Sequence, residues 1–99
     1  MCDKTDFESN TPLVSILIPA FNAGNFIQET LESVLAQTYP NIEIIVVDDG
    51  STDDTQQKIL AFGERIIYIY QQNGGIASAR NRGMALTRGQ LVALLDADD

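Results

Sequence analysis

The sequence predicts an α/β fold built on a Rossmann-like, doubly wound parallel sheet that is truncated after its fourth strand. Four short apolar runs rich in β-branched residues alternate with three segments of helical character, and the connections between them are short. This β-α-β-α-β-α-β order favours right-handed crossovers and helices on both faces of a parallel sheet. Strands that are buried on both faces have nearly continuous apolar sequences, as these runs do.

Local signals place the strands and the first helix. The predicted strands are residues 14–18, 42–47, 66–70 and 91–95. The first helix is expected to follow Asn25, which can serve as its N-cap. Its apolar positions Ile27, Leu31 and Val34 then share one face. Pro40 ends this helix, because a residue that precedes proline is disfavoured in helical geometry.

Caps and glycines delimit the other two helices. The second is expected to begin after Thr52 or Asp53 and to stop near Gly63, which suits the left-handed position that follows a helix. The third is expected to cover about Ile76–Thr87. It contains Gly83, which costs about 1 kcal/mol relative to alanine within a helix. We therefore expect Gly83 to pack closely against the sheet or a ligand.

Length and composition bound the class of protein. The 99 residues allow one small domain, which we assign to residues 13–99, and the polar residues 1–12 are expected to form a disordered tail. Six basic and fourteen acidic residues give a net charge of −8, which disfavours nucleic acid and anionic membranes as direct partners. The lone Cys2 and the lack of an apolar leader predict a cytoplasmic location. Attachment to the cytoplasmic face of a membrane through residues after Asp99 stays open.

Acidic residues follow two of the predicted strands and carry the functional signal. The C-terminal ends of parallel strands share one edge of the sheet, where α/β proteins bind ligands. Carboxylates that crowd together there need a cation between them, and oxygen ligands suit Mg²⁺ or Mn²⁺. Arg80, one turn into the third helix, is expected to offset part of the charge. The five carboxylates expected to converge are Asp48, Asp49, Asp96, Asp98 and Asp99.

Each of these features also has a simpler explanation. Residues 48–51 could form a turn and a helix cap, and Gly74-Gly75 could be an ordinary turn. Arg80 could be a solvated helix residue. Phe21 and Phe26 are expected in the core or as a staple at the helix start, with Phe21 the better candidate for stacking on a base. The acidic strand ends, the glycine pair and Arg80 nevertheless occur together at the same edge of the predicted sheet, and this joint occurrence favours a binding site.

Five segments, in order, resemble the N-terminal half of a family 2 glycosyltransferase of the GT-A fold. The segments are residues 14–22, 37–41, 45–53, 73–83 and 95–99, so the resemblance covers about residues 13–99. Each motif alone is moderately specific, and the five together are a strong signal. The resemblance implies the same Rossmann-like parallel sheet that the alternating strands and helices predict.

The resemblance also implies roles for individual residues. Asp49 would accept a hydrogen bond from the imide N–H of uracil. Uracil is favoured over thymine and guanine because it is the usual base in the donors of this family. Asp96 and Asp98 form the D-x-D signature, in which Asp98 would reach the metal and Asp96 would lie nearer the ribose or the metal's waters. The roles of Asp48 and Asp99 are open. The residues implied to contact the nucleotide are Pro19, Ala20, Phe21, Asn22, Asp49, Gly75, Arg80 and Asp96.

The implied reaction is transfer of a sugar from a nucleotide-diphospho-sugar to an acceptor hydroxyl, with inversion at the anomeric carbon. A UDP-linked sugar is the usual donor in this family. Mn²⁺ or Mg²⁺ would act as a Lewis acid toward the diphosphate. The acceptor would be a saccharide or a lipid-linked molecule. Its site and the catalytic base are expected after Asp99, so we expect the 99-residue chain to be inactive alone. Its fourth strand would be an exposed edge, which predicts a homodimer or aggregation.

Two other functions compete with this interpretation. A non-catalytic nucleotide-binding or assembly module of the same fold would bind without transferring sugar. A flavodoxin-like signalling receiver would need an acceptor aspartate at the end of the third strand. The chain has Tyr70-Gln71-Gln72-Asn73 there, and no lysine follows Lys58. The receiver is therefore the weakest of the three.

Overall fold

The computed structural model describes residues 12–37 and 39–96, which form a four-stranded sheet in the order β3-β2-β1-β4. All three strand pairings are parallel. The predicted parallel α/β fold is therefore confirmed. The strands are β1 (Val14–Ala20), β2 (Ile42–Asp49), β3 (Ile67–Gln71) and β4 (Leu91–Leu94).

Three helices cover the sheet, and a short 3-10 turn at Gly63–Arg65 precedes β3. The helices are α1 (Ile27–Leu35), α2 (Thr55–Leu60) and α3 (Ile76–Leu86). None of the helices in residues 12–37 and 39–96 has the length and apolar character needed to cross a bilayer.

The two faces of the sheet bury separate apolar cores. Successive side chains of a strand point to opposite faces, so β1 and β2 contribute to both cores. On one face Ile18 and Val46 pack with Leu31 of α1 and Ile59 of α2. The members of the core on the other face, which α3 covers, are Leu17, Ile45, Val47 and Ala79.

Gly83 allows α3 to lie close to the sheet. A Cβ atom at this position would come within 2.1 Å of Leu17 Cδ1, closer than real atoms approach. The expected close packing of Gly83 is confirmed, and the neighbour is the side chain of a β1 residue.

The ends of α1 and α2 differ from the predicted ones because tertiary contacts set them, whereas α3 lies within one residue of its predicted bounds. Asn25 does not cap α1, which begins at Ile27; the carbonyl of Ala23 accepts from the N–H groups of Phe26 and Ile27 at 2.9 and 2.8 Å. The helix ends at Leu35, well before Pro40. The second helix is also shorter than expected, although Gly63 has the expected left-handed backbone, with φ of +69°.

Asp54, not Thr52 or Asp53, occupies the N-cap position of α2, and its side chain makes no capping hydrogen bond. Asp53, the residue before it, bonds to the first turn of the helix instead. Its Oδ1 accepts a hydrogen bond from the backbone N–H of Thr55 at 3.0 Å. Its Oδ2 accepts from the N–H of Gly24, in the loop after β1, at 3.0 Å. Burial would raise the pKa of Asp53, but the hydrogen bonds from Thr55 and Gly24 hold it below its ordinary value.

A buried polar network fixes the N-terminal ends of the strands. Ser15 Oγ donates to Glu43 Oε2 at 2.6 Å and accepts from the Gly89 N–H at 2.8 Å. The Arg88 N–H donates to Glu43 Oε2 at 2.8 Å, and the Arg88 guanidinium lies 3.2 Å from Oε1. Burial would raise the pKa of Glu43, but these hydrogen bonds and the charge of Arg88 hold it below its ordinary value.

Candidate nucleotide site at the C-terminal edge of the sheet

Asp49, the last residue of β2, holds the loop that leads into α3. Its side chain is 4% exposed. Oδ1 accepts from the Gln71 amide at 2.7 Å and from the Gly74 N–H at 2.9 Å. Oδ2 accepts from the Gly75 N–H at 2.9 Å. Burial would raise the pKa of Asp49, but these three hydrogen bonds hold it below its ordinary value, so the group is an acceptor at neutral pH.

Two adjoining cavities open beside Asp49 and between the loops. Pro19, Phe21 and Ile76 line both of them. The first is lined in addition by Ala20, Asp49, Asn73, Gly75 and Ala79, and the second by Asn22, Ala23, Phe26 and Asp96. Of the eight residues expected to contact a nucleotide, all but Arg80 line one of these cavities.

The aromatic side chains at this edge are not core residues. Phe21 is 52% exposed and Phe26 is 48% exposed, so the expectation of a core position is wrong, and the alternative of a staple at the helix start stays a prediction. The apolar positions of α1 begin at Ile27, and Phe26 lies before the helix. Phe21 lies between the cavities and lines both, a position from which an aromatic ring can contact a planar ligand.

Asn22 connects the loop after β1 to the loop after β2. Its φ of +48° is unusual for a residue other than glycine, although asparagine tolerates it better than most. Its Oδ1 accepts from the Thr52 N–H at 2.8 Å, and its own N–H donates to Ser51 Oγ at 2.8 Å. The next residue, Ala23, donates to Thr55 Oγ1 at 2.9 Å. These connections between the two loops are not among the predictions from the sequence, although the run of hydroxyl and carboxyl side chains before α2 is a signal for them.

Asp48 lies on the opposite face of the sheet from Asp49, so the expectation that these two carboxylates converge at one site is wrong. Asp48 and Asp49 are successive residues of β2, so their side chains point to opposite faces of the sheet. Asp48 is fully buried, and it accepts from the Ser51 N–H at 2.9 Å and from the Tyr68 hydroxyl at 2.7 Å. Burial and the charge of Asp48 raise the pKa of Tyr68 far above its ordinary value. For Asp48 the simpler turn explanation holds.

Arg80 compensates Asp96, as expected. Arg80 Nη2 lies 3.7 Å from Asp96 Oδ1, and both side chains are a little under half exposed. Arg80 Nε is buried without a hydrogen-bond partner among the described residues. Arg80 thus reaches the second cavity through its ion pair with Asp96. Asp98 and Asp99 lie outside the described residues.

Of the two predicted metal ligands, only Asp96 lies among the described residues. Asp96 is an oxygen donor on the wall of the second cavity, and its only described ion pair is with the partly exposed Arg80. Oxygen ligands of this kind fit Mg²⁺ or Mn²⁺. Within residues 12–37 and 39–96 no cluster of three metal-ligating side chains exists. Asp96 therefore fits as one ligand of a set whose predicted second member, Asp98, lies outside the described residues.

Comparison with known proteins identifies the family. A family model described as glycosyl transferase family 2 matches residues 15–99. The chain belongs to glycosyl transferase family 2. Among its relatives, an uncharacterized glycosyltransferase of Rickettsia prowazekii is 49% identical over 89 residues. The match covers 90% of this chain and 28% of the relative, so the chain spans little more than a quarter of that relative's length.

Solved structures of glycosyltransferases have the same fold. A mannosyltransferase from Pyrobaculum calidifontis, solved with GDP-Man and Mn²⁺, matches with a TM-score of 0.84 and 28% identity over 91% of this chain and 28% of its own. TarS of S. aureus, solved with UDP, matches with a TM-score of 0.81 and 28% identity over 86% of this chain and 27% of its own. The expected GT-A fold of this family 2 chain is therefore confirmed.

Proposed function

We propose that this chain is the donor-binding part of a glycosyltransferase that transfers a sugar from a nucleotide-diphospho-sugar, most suitably UDP-linked, to an acceptor hydroxyl. The observation that carries the proposal is the buried Asp49 carboxylate on the wall of the first cavity. Its low pKa makes it an acceptor, so a base that binds it must offer an N–H donor. Uracil has such a donor in its imide.

The same site suggests how the diphosphate would be bound. Asp96 and Asp98 would hold Mn²⁺ or Mg²⁺, which would act as a Lewis acid toward the diphosphate leaving group. A chain with a net charge of −8 needs cationic groups to hold this anion, and the partly exposed guanidinium of Arg80 pairs with Asp96, which lines the second cavity. Phe21 would contact the base or the ribose from between the cavities.

The rest of the reaction is assigned to residues that follow Asp99. We place the acceptor site and the general base there, and we retain inversion as the stereochemical outcome. The acceptor would be a saccharide or a lipid-linked molecule, and the reaction would take place in the cytoplasm. The 99-residue chain alone would bind the donor without transferring its sugar, and sugar transfer by the purified chain would contradict this.

Titration calorimetry with UDP, with and without Mn²⁺, tests the proposal. We expect binding that depends on the metal. Asp49→Asn should weaken it about tenfold or more, because a hydrogen bond to a charged acceptor is lost. Asp98→Asn should remove the effect of the metal. Asp54→Asn is a matched control, since it removes the same charge from an exposed site beside Lys58. Failure of UDP to bind the protein in either condition would contradict the proposal.

A further inference from the structure

Among the described residues, the partners of Asp49 leave a ligand only one acceptor position on its carboxylate. A carboxylate oxygen accepts hydrogen bonds at two lone-pair positions. Gln71 and Gly74 occupy both positions on Oδ1, at 2.7 and 2.9 Å. On Oδ2, Gly75 occupies one position at 2.9 Å. The remaining acceptor position of this cavity-lining carboxylate is therefore on Oδ2.

The fold fixes Gln71 in the place where it closes Oδ1. Gln71 is the last residue of β3 and lies directly opposite Asp49 in the parallel register. Side chains at paired positions of neighbouring strands share one face of the sheet, about 5 Å apart. The Gln71 amide also donates to Ser78 Oγ, in α3, at 3.3 Å. The amide is thus held between a strand and a helix, with its donors directed to Asp49 and Ser78.

We infer that Gln71 is a positioning residue that sets base selectivity, by closing Oδ1 so that Asp49 accepts from a single N–H donor. This inference rests on the proposed function. The imide edge of uracil presents one N–H between two carbonyl groups and needs one acceptor. Guanine presents two adjacent donors, N1–H and the N2 amino group, and pairs best with both oxygens of a carboxylate. A closed Oδ1 leaves one guanine donor without a partner, which costs affinity.

The test compares the affinities of UDP and GDP, in the presence of Mn²⁺, for the protein and three variants. Gln71→Met keeps the length of the side chain and removes its donors. We expect it to lower the ratio of UDP affinity to GDP affinity about tenfold, since one acceptor position on Oδ1 opens. Gln71→Lys retains an N–H donor and should restore most of the ratio. Gln72→Met, at the exposed neighbouring position, should leave it unchanged.

The outcomes separate this inference from the proposed function. General damage to the loop would weaken both nucleotides and leave the ratio unchanged. An unchanged ratio in Gln71→Met, or a preference of the unaltered protein for GDP, would overturn the inference while nucleotide binding stands. If the unaltered protein bound neither nucleotide, the proposed function would fail and the inference with it. A reduced ratio that Gln71→Lys restores would establish the role of Gln71.

Discussion

Asp48 and Asp49 are adjacent in sequence but serve different parts of the molecule. Asp48 is fully buried and binds Ser51 and Tyr68 on the face covered by α1 and α2. Asp49 lies on the other face, where it holds the Gly74–Gly75 backbone and lines a cavity. The two-residue period of a strand therefore places one carboxylate in the folded interior and the other on the wall of the first cavity.

Glu43 is a second residue whose charge matters to the fold. Its pKa is lower in the folded protein than in the unfolded chain. The Glu43 carboxylate therefore stabilises the fold at pH values above its unfolded pKa, and this stabilisation is lost as the pH falls through its folded pKa. We expect Glu43→Gln to lower the free energy of unfolding by about 2 kcal/mol at pH 7, since charged hydrogen bonds to Ser15 and Arg88 are lost. The difference from the unaltered chain should shrink near pH 3. Urea unfolding at both pH values measures it.

The control for Glu43 is Glu64→Gln, at an exposed position in the 3-10 turn. It removes the same charge and should change stability by less than about 0.5 kcal/mol. Equal effects of the two substitutions would show that the Ser15–Glu43–Arg88 network adds no stability. An effect of Glu43→Gln that is as large at pH 3 as at pH 7 would show that the carboxylate charge is not the cause.

Among the elements, the strands and α3 were predictable from the sequence, and the ends of α1 and α2 were not. The strands follow from contiguous apolar, β-branched runs, and each observed strand lies within two residues of its predicted bounds. The start of α1 depends on the Ala23 carbonyl, whose loop is fixed by Thr55 of a distant element. Contacts of this kind join residues more than thirty positions apart, so local capping signals such as Asn25 did not reveal them.

The residues of the candidate site were largely predictable from the sequence, but the hydrogen bonds between them were not. Seven residues that line the two cavities were predicted from the family resemblance and from the position of the loops at the C-terminal ends of the strands. The prediction did not reveal that Asp49 is already bonded to Gly74 and Gly75, because that depends on the path of the loop before α3. Nor did it reveal the role of Gln71, which follows from the register of β3 on β2.

The packing of α3 on β1 makes a prediction for one position. Gly83→Ala should improve helix propensity by about 1 kcal/mol, but it places a methyl group against Leu17. Overpacking of a core costs about 1–3 kcal/mol, so we expect a net loss of about 1 kcal/mol in the free energy of unfolding. Thermal or urea unfolding measures the loss. A gain in stability would show that α3 moves away from the sheet without cost.

A double-mutant cycle separates the two contributions at this position. Leu17→Val removes the Leu17 Cδ atoms, which lie closest to the added methyl group. Gly83→Ala should therefore be less destabilising in the Leu17→Val background than in the unaltered chain. Equal effects in both backgrounds would show that the two positions do not interact.

At the scale of the whole molecule, β4 is the exposed part of the sheet. It pairs with β1 on one side, and no described strand pairs with its other side. Leu91 is 57% exposed and Leu94 is 55% exposed. An unpaired edge with apolar side chains is a template for pairing with another chain. The longer relatives have additional sequence, so this prediction concerns the 99-residue chain itself.

We expect two copies of the 99-residue chain to pair through β4, in a symmetric arrangement that buries Leu91 and Leu94 of both. Light scattering over a range of concentrations should give a mass above that of one chain. Leu91→Lys combined with Leu94→Lys should restore the monomer, because charges on an edge strand oppose pairing. Leu60→Lys is the control: Leu60 is equally exposed, at 55%, but lies on α2. A monomeric mass at high concentration, or an equal effect of Leu60→Lys, would contradict pairing through this edge.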